Sequence, residues 1–335
     1  MCDISVVVVT YNSSLKKTLR TLYSIVSQKN VDFEVIVADD GSINNNALEI
    51  ESFFSKYSFC KYKMVMNREN HGTVLNFMSG VSVANGEYIK PISPGDFFYS
   101  DTSLFTIFEF MKSRNAIVAF GDAVYYNYDN GKKIYDLKNP VLQYVYDENI
   151  YNQENIIKHL ILYIDPILGA SAIYRRAECM STLHNLKNKV IYCEDSIIPY
   201  LALEGIRVFH IQEFIIWYEM GTGISTDVNS SFREKTEMDN IAFLKYMSEV
   251  HKKNTIVQDA YNDRIADYKK DLRFKIKKRL LHMLDVGRRI YKIRHKLEKK
   301  KYLCLGYNVD YLNRWISLGG GRYNECNESK ISDTW

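Results

Sequence analysis

The chain has 335 residues, 46% of them hydrophobic and 25% charged, with only 5 Pro and 16 Gly. This composition excludes a disordered, collagen-like or low-complexity protein, and the length can bury a sizeable core in two domains or in one large α/β domain with an appendage. The net charge of +4 conceals an asymmetry: residues 269–301 carry 15 Lys and Arg against Asp271, Asp285 and Glu298, a local balance of +12, which leaves 4 − 12 = −8 for the remainder.

Ile4-Ser5-Val6-Val7-Val8-Val9 is β-branched and nearly continuous, as in a strand covered on both faces within a parallel sheet. Cap-type residues from Thr10 to Ser14 precede Leu15, Leu19, Leu22, Ile25 and Val26 at helical spacing, and Phe33 to Ala38 reads as a second strand ending in Asp39-Asp40-Gly41-Ser42. Such a unit predicts a right-handed crossover. The pattern continues with a helix near Asn46–Tyr57, a strand at Tyr62–Met66, a helix over Val74–Val83 and a strand at Tyr88–Ile92. A helix at Phe105–Lys112 follows, then a strand at Ala116–Phe120 closed by Gly121-Asp122. Weak periodicity from Tyr125 to Ile150 predicts a hairpin or loop-rich insertion. Glu154–Tyr163 and Glu194–Leu203 have helical spacing, Ala170–Tyr174 and Arg207–Ile211 read as strands, and Asn240–His251 and Ile256–Tyr268 as helices. In the basic segment Ile276, Leu280, Met283, Leu284, Gly287 and Tyr291 fall on one side of a helix.

No run approaches the roughly 18–20 apolar residues that span a bilayer, and the first residues form neither a basic stretch nor a signal-peptide core, so a cytoplasmic protein is expected. Cys2, Cys60, Cys179, Cys193, Cys304 and Cys326 include no Cys-x-x-Cys pair, so neither a disulfide framework nor a zinc site is indicated. Ligands of open α/β sheets bind at the carboxyl ends of strands, so Thr10–Asn12, Asp39–Ser42 and Ser93–Asp96 should converge on one crevice. The glycine-rich phosphate loops are missing: there is no G-x-x-x-x-G-K-[ST], no G-x-G-x-x-G follows the first strand, and Gly221-Thr222-Gly223 comes late and before no evident helix. Without such a cradle, a diphosphate is usually held by a divalent metal on carboxylates.

Ser5-Val6-Val7-Val8-Val9-Thr10-Tyr11-Asn12, Glu34 to Ser42, Asn70-His71-Gly72, Ala84 to Ile89, Ser93-Pro94-Gly95-Asp96, Gly169 to Arg176, Glu194-Asp195 and Gly223-Ile224-Ser225 resemble, in order, the successive motifs of glycosyltransferase family 2. The resemblance spans about residues 3–226. It implies an α/β fold of the GT-A type, with a mainly parallel sheet flanked by helices and a C-terminal helical extension. It also implies an inverting enzyme that moves a sugar from a nucleotide-diphosphate donor, first a UDP-sugar, to a glycan or lipid-linked acceptor in bacterial surface-polysaccharide synthesis. The corresponding division is a catalytic domain at 1–226, a helical extension at 227–318 and a flexible tail at 319–335.

By the same resemblance Thr10, Tyr11, Asn12, Asp39 and Asp40 contact the nucleoside, and Gly72, Ser93, Gly95 and Arg175 complete the donor site. A carboxylate at a strand end accepts well from a uracil N–H or ribose hydroxyls, although Asp-Gly-Ser is also good turn chemistry. Arg175 and Arg176 suit a diphosphate, a pairing with Glu194, or the surface. Ser93-Pro94-Gly95-Asp96 departs from the family's aspartate cluster by keeping only its last carboxylate. Asp96 is then the implied ligand of a magnesium or manganese ion, or else a turn residue, while Gly95 replaces a carboxylate expected near the ribose; magnesium often takes only one or two protein carboxylates. In the Glu194-Asp195 pair the resemblance makes Asp195 the general base and Glu194 its support, with a helix start favouring an anion there; an N-cap is the alternative for Asp195. His71 and His210 read as structural, and Trp217-Tyr218 as core or as sugar-stacking aromatics.

The basic segment 269–301, with Arg279, Arg288, Arg289, Lys292 and Lys299 to Lys301 around its apolar side, suits an anionic membrane surface. A solvated helical face and nucleic acid are the alternatives, and no nucleic-acid partner is expected. Together these readings place the protein peripherally on the inner face of the cell membrane, with homo-oligomerisation open. A second class of function is a nucleotide-sugar-binding pseudoenzyme acting as an interaction subunit; retention of Asp96 and Asp195 favours the enzyme.

Overall fold

The computed structural model describes residues 2–127, 133–135, 137–221, 230–269, 285–298 and 306–317. β1 (Ile4–Thr10) lies between β2 (Phe33–Asp39) and β4 (Tyr88–Ile92), parallel to both, and β3 (Tyr62–Met66) extends the parallel half beyond β2. Beyond β4 the direction changes: β8 (Ala172–Arg175) runs antiparallel to β4 and to β6 (Val118–Asn127), while β9 (Val208–Glu219) runs parallel to β6 and pairs with the short β5 (Phe97–Phe98). With β7 (Lys133–Tyr135) in a hairpin with β6, these make one sheet of 9 strands.

The side-chain period of 2 in β1 sorts the core into layers. Val6 and Val8 pack with Leu22 and Ile25 of α1 (Leu15–Val26), Phe53 and Phe54 of α2 (Ala47–Lys56) and Leu104 and Ile107 of α4 (Ser103–Ser113). Val7 faces the other way, with Val74 and Phe77 of α3 (Thr73–Ser82), Leu183 of α6 (Arg176–Leu186), Ile198 of α7 (Ile197–Leu203), Phe243 of α8 (Ser230–Val250) and Val257 of α9 (Thr255–Tyr268). Ser14 caps α1 as its side chain and spacing predict, accepting the Lys17 N–H at 3.3 Å.

Two expectations change, and one helix carries no expectation at all. Gly121-Asp122 does not close a strand: β6 passes through it by a register shift against β9, and both strands run to Asn127 and Glu219 because each satisfies the other's main-chain groups. The Glu154–Tyr163 helix is α5 (Gln153–Ile157) continued by a π-helical turn, Lys158–Leu162. α6 has no clear sequence signal, since its buried side includes Cys179 and Thr182 beside Leu183 and Leu186.

At the C-terminal side, the helix Val309–Ser317 returns to the first helix. Leu312, Trp315 and Ile316 form a third buried cluster with Phe97, Val124 and Trp217, Tyr23 of α1 packs against it, and the Arg20 guanidinium donates to the Ile316 carbonyl. Within the basic segment, Ile276, Arg279, Leu280, Met283, Leu284 and Lys299 to Lys301 lie outside the described residues, as do 319–335. The described helix Val286–Glu298 is turned differently from the sequence expectation. Arg288, expected in the charged rim, is buried 3.2 Å from Asp263, and Tyr291 stacks inward on Tyr163 at 4.8 Å. Among the described residues no helix is long and apolar enough to cross a membrane.

Trp315 has no exposed surface. Trp315→Ala is expected to cost about 3–5 kcal/mol, the usual range for emptying a core aromatic site, read as a lowered urea midpoint at unchanged m-value.

Candidate active site

The carboxyl ends of β1, β2 and β4 bring Thr10–Asn12, Asp39–Ser42 and Ser93–Asp96 to one end of the sheet. Asp39 and Asp40 are both buried, and each is engaged by the chain itself. Asp39 accepts from the Thr10 hydroxyl at 2.8 Å and from the Ser42 N–H at 2.8 Å. Asp40 accepts the His71 and Gly72 N–H groups, each at 2.9 Å. Gly72 is the glycine this contact requires: φ is +91°, and a Cβ there would stand 2.7 Å from the Ile191 carbonyl oxygen. Asn12, also at positive φ, donates its N–H to Ser42 Oγ at 2.6 Å and accepts from Ile43 N–H at 3.2 Å, leaving Tyr11 exposed beside the turn.

Ser93-Pro94-Gly95-Asp96 closes as a tight turn, the Asp96 N–H donating to the Ser93 carbonyl at 3.0 Å, with Gly95 at φ +104° in the position that demands it. Ser93 is exposed and Asp96 buried. Asp96 Oδ1 accepts the Glu219 N–H at 3.0 Å, and the Glu219 carboxylate lies over Gly95, where a Cβ would collide with it. Lys17 Nζ pairs with Glu219 at 2.7 Å. Beneath them Lys90 is fully buried, its ammonium donating to the Pro91 carbonyl at 2.8 Å and to the Ala170 carbonyl. Burial pushes the Asp96 carboxyl up to about 7 and the Lys90 ammonium down to about 7, each opposed by the other's charge. Among the described residues no group of three or more His, Cys, Asp or Glu could enclose a metal ion. The hard oxygens of Asp96 and Glu219 nevertheless fit a cation that keeps most of its ligands as phosphate and water.

Glu194 and Asp195 occupy a 3₁₀ turn, Glu194–Ser196, at the start of α7. Both are partly exposed. Gly169, just before β8, faces them, and its Cβ would lie 3.3 Å from that of Asp195. Burial raises both carboxyls above the ordinary range. The Asp195 charge adds to the effect at Glu194; at Asp195 main-chain amides oppose burial and the Asp239 charge adds to it. A cleft of about 70 Å³ opens beside Asp195, walled by Pro166, Ile167, Ser196, Phe243 and Leu244.

Asp239 escaped the sequence analysis because it lies in an ordinary polar stretch of α8. It is buried, and one oxygen, Oδ2, accepts the N–H groups of Ile191 at 3.0 Å, of Tyr192, and of Cys193 at 3.1 Å. These are the residues that lead directly into Glu194-Asp195, so α8 anchors the loop that carries the candidate base. Lys17, Lys90 and Glu219 were missed for the same reason: nothing local marks a residue whose partner lies far along the chain.

Arg175 is not brought into the crevice. β8 is antiparallel to β4, so Arg175 lies opposite Tyr88, at the amino end of β4, where it donates to Asn115 Oδ1 at 2.6 Å. His210 Nε2 donates to Asp122 Oδ1 at 2.9 Å, and His71 is exposed beside Glu69. Trp217 is core, stacked on Tyr99 at 5.2 Å. Gly223-Ile224-Ser225 lies outside the described residues.

Residues 5–177 match the family described as Glycosyl transferase family 2. An uncharacterized glycosyltransferase of Mycoplasma genitalium is 26% identical over 226 residues, which is 66% of this chain and 70% of that protein. The glycosyltransferase GlyG of Streptococcus pneumoniae is 32% identical over 127 residues, 38% of this chain and 40% of that one. In fold, S. aureus TarS 1–349 in complex with UDP aligns with a TM-score of 0.52 at 15% identity, over 90% of this chain and 81% of that one. The mannosyltransferase PcManGT from Pyrobaculum calidifontis, in complex with GDP-Man and Mn2+, aligns with a TM-score of 0.51 at 12% identity, over 90% and 88%. The architecture is the GT-A fold.

Removing the Asp239 carboxylate takes the shared acceptor from three N–H groups at once. Asp239→Ala is expected to lose about 1–3 kcal/mol of stability and, well before global unfolding, to speed hydrogen exchange at Ile191, Tyr192 and Cys193. Exchange of these amides at the wild-type rate would show that the loop is held by something else.

Proposed function

We propose that this chain, which belongs to glycosyl transferase family 2 and is a glycosyltransferase, takes its sugar from a nucleotide-diphosphate donor and delivers it with inversion to a glycan or lipid-linked saccharide of a bacterial surface polysaccharide. The observation that carries the reading is the Glu194-Asp195 pair, set in the same end of the sheet as the Asp39 and Ser93–Asp96 turns. UDP in the TarS complex and GDP-Man in the PcManGT complex support a nucleotide-sugar donor, with UDP first.

Inverting transfer needs one carboxylate at the acceptor hydroxyl, to take its proton while that oxygen attacks the anomeric carbon from the face opposite the leaving nucleotide. Asp195 has that part. Glu194, whose neighbour's charge favours its protonated form, supports Asp195 and lets the second carboxyl stay neutral while the first is ionised. The cleft beside Asp195 admits the acceptor hydroxyl. On the donor side Tyr11 and the Asp39 turn meet the nucleoside, with Gly72 keeping that wall close. Asp96, with Glu219, would hold a divalent ion, which when bound supplies positive charge against the diphosphate; Mn2+ in the PcManGT complex supports this. Before donor arrives, Lys17 holds Glu219 in place.

Asp195→Asn keeps the shape and removes the proton acceptor, so transfer is expected to fall by about 10²- to 10⁴-fold with donor affinity unchanged. More than about a tenth of wild-type turnover at saturating substrates would refute the base assignment. Because the base must be ionised and burial raises its pKa, wild-type activity is full at higher pH and fails as pH falls, with an acid limb above the roughly pH 4 of an ordinary Asp. Asp96→Ala is expected to abolish the gain in UDP affinity that manganese confers, measured by calorimetry with and without the ion. Equal enhancement in both proteins would move the ion elsewhere.

A further inference from the structure

The helix Val286–Glu298 is docked by one face and bare on the other. Its inner face carries Arg288, paired with Asp263, and Tyr291, stacked on Tyr163. Its outer face carries Val286, Ile290, Ile293 and Leu297, exposed by 63%, 46%, 61% and 55%. Their spacing of four, three and four residues puts them in one narrow line along the helix. Arg289, Lys292, Arg294 and Lys296 are all exposed around that line, and Lys299-Lys300-Lys301 follow in sequence. Within this helix the line differs from the side read from sequence, of which only Gly287 and Tyr291 are described, and Tyr291 points into the protein. Gly287 lets the helix sit close, because a Cβ there would lie 3.0 Å from the Tyr163 hydroxyl.

We infer that this outer face seats the protein on an anionic lipid surface, with Val286, Ile290, Ile293 and Leu297 entering the headgroup boundary and Arg289, Lys292 and Lys296 meeting lipid phosphates. A line of bare aliphatic side chains flanked by cations matches an interface that is apolar below and anionic above. A nucleic-acid backbone offers no apolar layer for the aliphatic line. A second copy packed face to face would bring the same cations against themselves. The tyrosine stack, the Arg288–Asp263 pair and the bond from Arg294 to the Tyr144 hydroxyl at 2.7 Å tie the helix to the body, so the whole enzyme is oriented on the surface. The inference goes beyond the transfer reaction, and vesicle binding is measured without it.

The test uses the full-length protein and vesicles of phosphatidylcholine with or without phosphatidylglycerol, read by co-sedimentation. Wild type is expected to pellet with the anionic vesicles, to stay in the supernatant when the vesicles are neutral, and to bind at least about tenfold more weakly at high salt than at low. Ile290→Ser with Ile293→Ser, both at exposed positions, is expected to weaken anionic binding about tenfold at an unchanged melting temperature. Arg289→Gln with Lys296→Gln should weaken it while flattening the salt dependence. Undiminished binding by the serine pair, equal binding to neutral vesicles, or no binding to either overturns the inference. So does a dimer, seen by light scattering, that the serine pair converts to monomer, since the face would then belong to a second copy.

Discussion

The site depends on a change of direction between two neighbouring strands. β4 runs with the parallel half of the sheet, and β8 beside it runs the other way, so the end of β4 and the beginning of β8 meet at one edge. Lys90 bridges this junction from within, its buried ammonium donating to Pro91 on β4 and to Ala170 just before β8. An ammonium without solvent is costly unless carbonyls and a carboxylate surround it, and here Asp96 supplies the charge. The Ser93–Asp96 turn, the Gly169 approach to Asp195 and the overhang of Glu219 are all positioned against that junction.

The acidic residues at this end divide by what they hold. Asp39, Asp40, Asp96 and Asp239 are buried and take main-chain N–H groups of loops: Ser42 for Asp39, His71 and Gly72 for Asp40, Glu219 for Asp96, and Ile191 to Cys193 for Asp239. A carboxylate accepting from amides makes strong, directional bonds, so loops without regular structure become rigid walls. Through the Val74 N–H bond to Ile191 at 3.0 Å, the wall beside Gly72 continues into the loop held by Asp239. Glu194 and Asp195 differ, since burial raises both carboxyls, helped by the Asp195 charge at Glu194 and by the Asp239 charge at Asp195. The proposed proton transfer draws on that pair, while the other carboxylates hold loop amides.

Helices beyond the family match pack against the end of the sheet that carries the candidate site. α8 supplies Asp239 and the Phe243 and Leu244 wall of the cleft, and the helix Val309–Ser317 braces α1, whose Lys17 pairs with Glu219. Both contacts join residues far apart in the chain, so they carry no local signature. The α8 contact alone reaches the docked helix Val286–Glu298, since Tyr291 packs against the core cluster that holds Phe243 and Leu244.

The sequence by itself determined the alternating strands and helices of the first half, because continuous β-branched runs, caps and helical spacing are local properties. It also marked the turns that converge on the crevice, since polar residues at strand ends stand out against apolar runs. What tertiary structure alone decided is direction and partnership. Whether β8 runs with or against β4 depends on pairing across 80 or so residues, which is why Arg175 falls at the wrong end of the sheet and Gly169 at the right one. Gly121-Asp122 has the chemistry of a turn, yet pairing with β9 carries the strand through it. Which side of the basic helix faces inward was set by Tyr163 and Asp263, residues far from it in the chain that no helical periodicity could reveal.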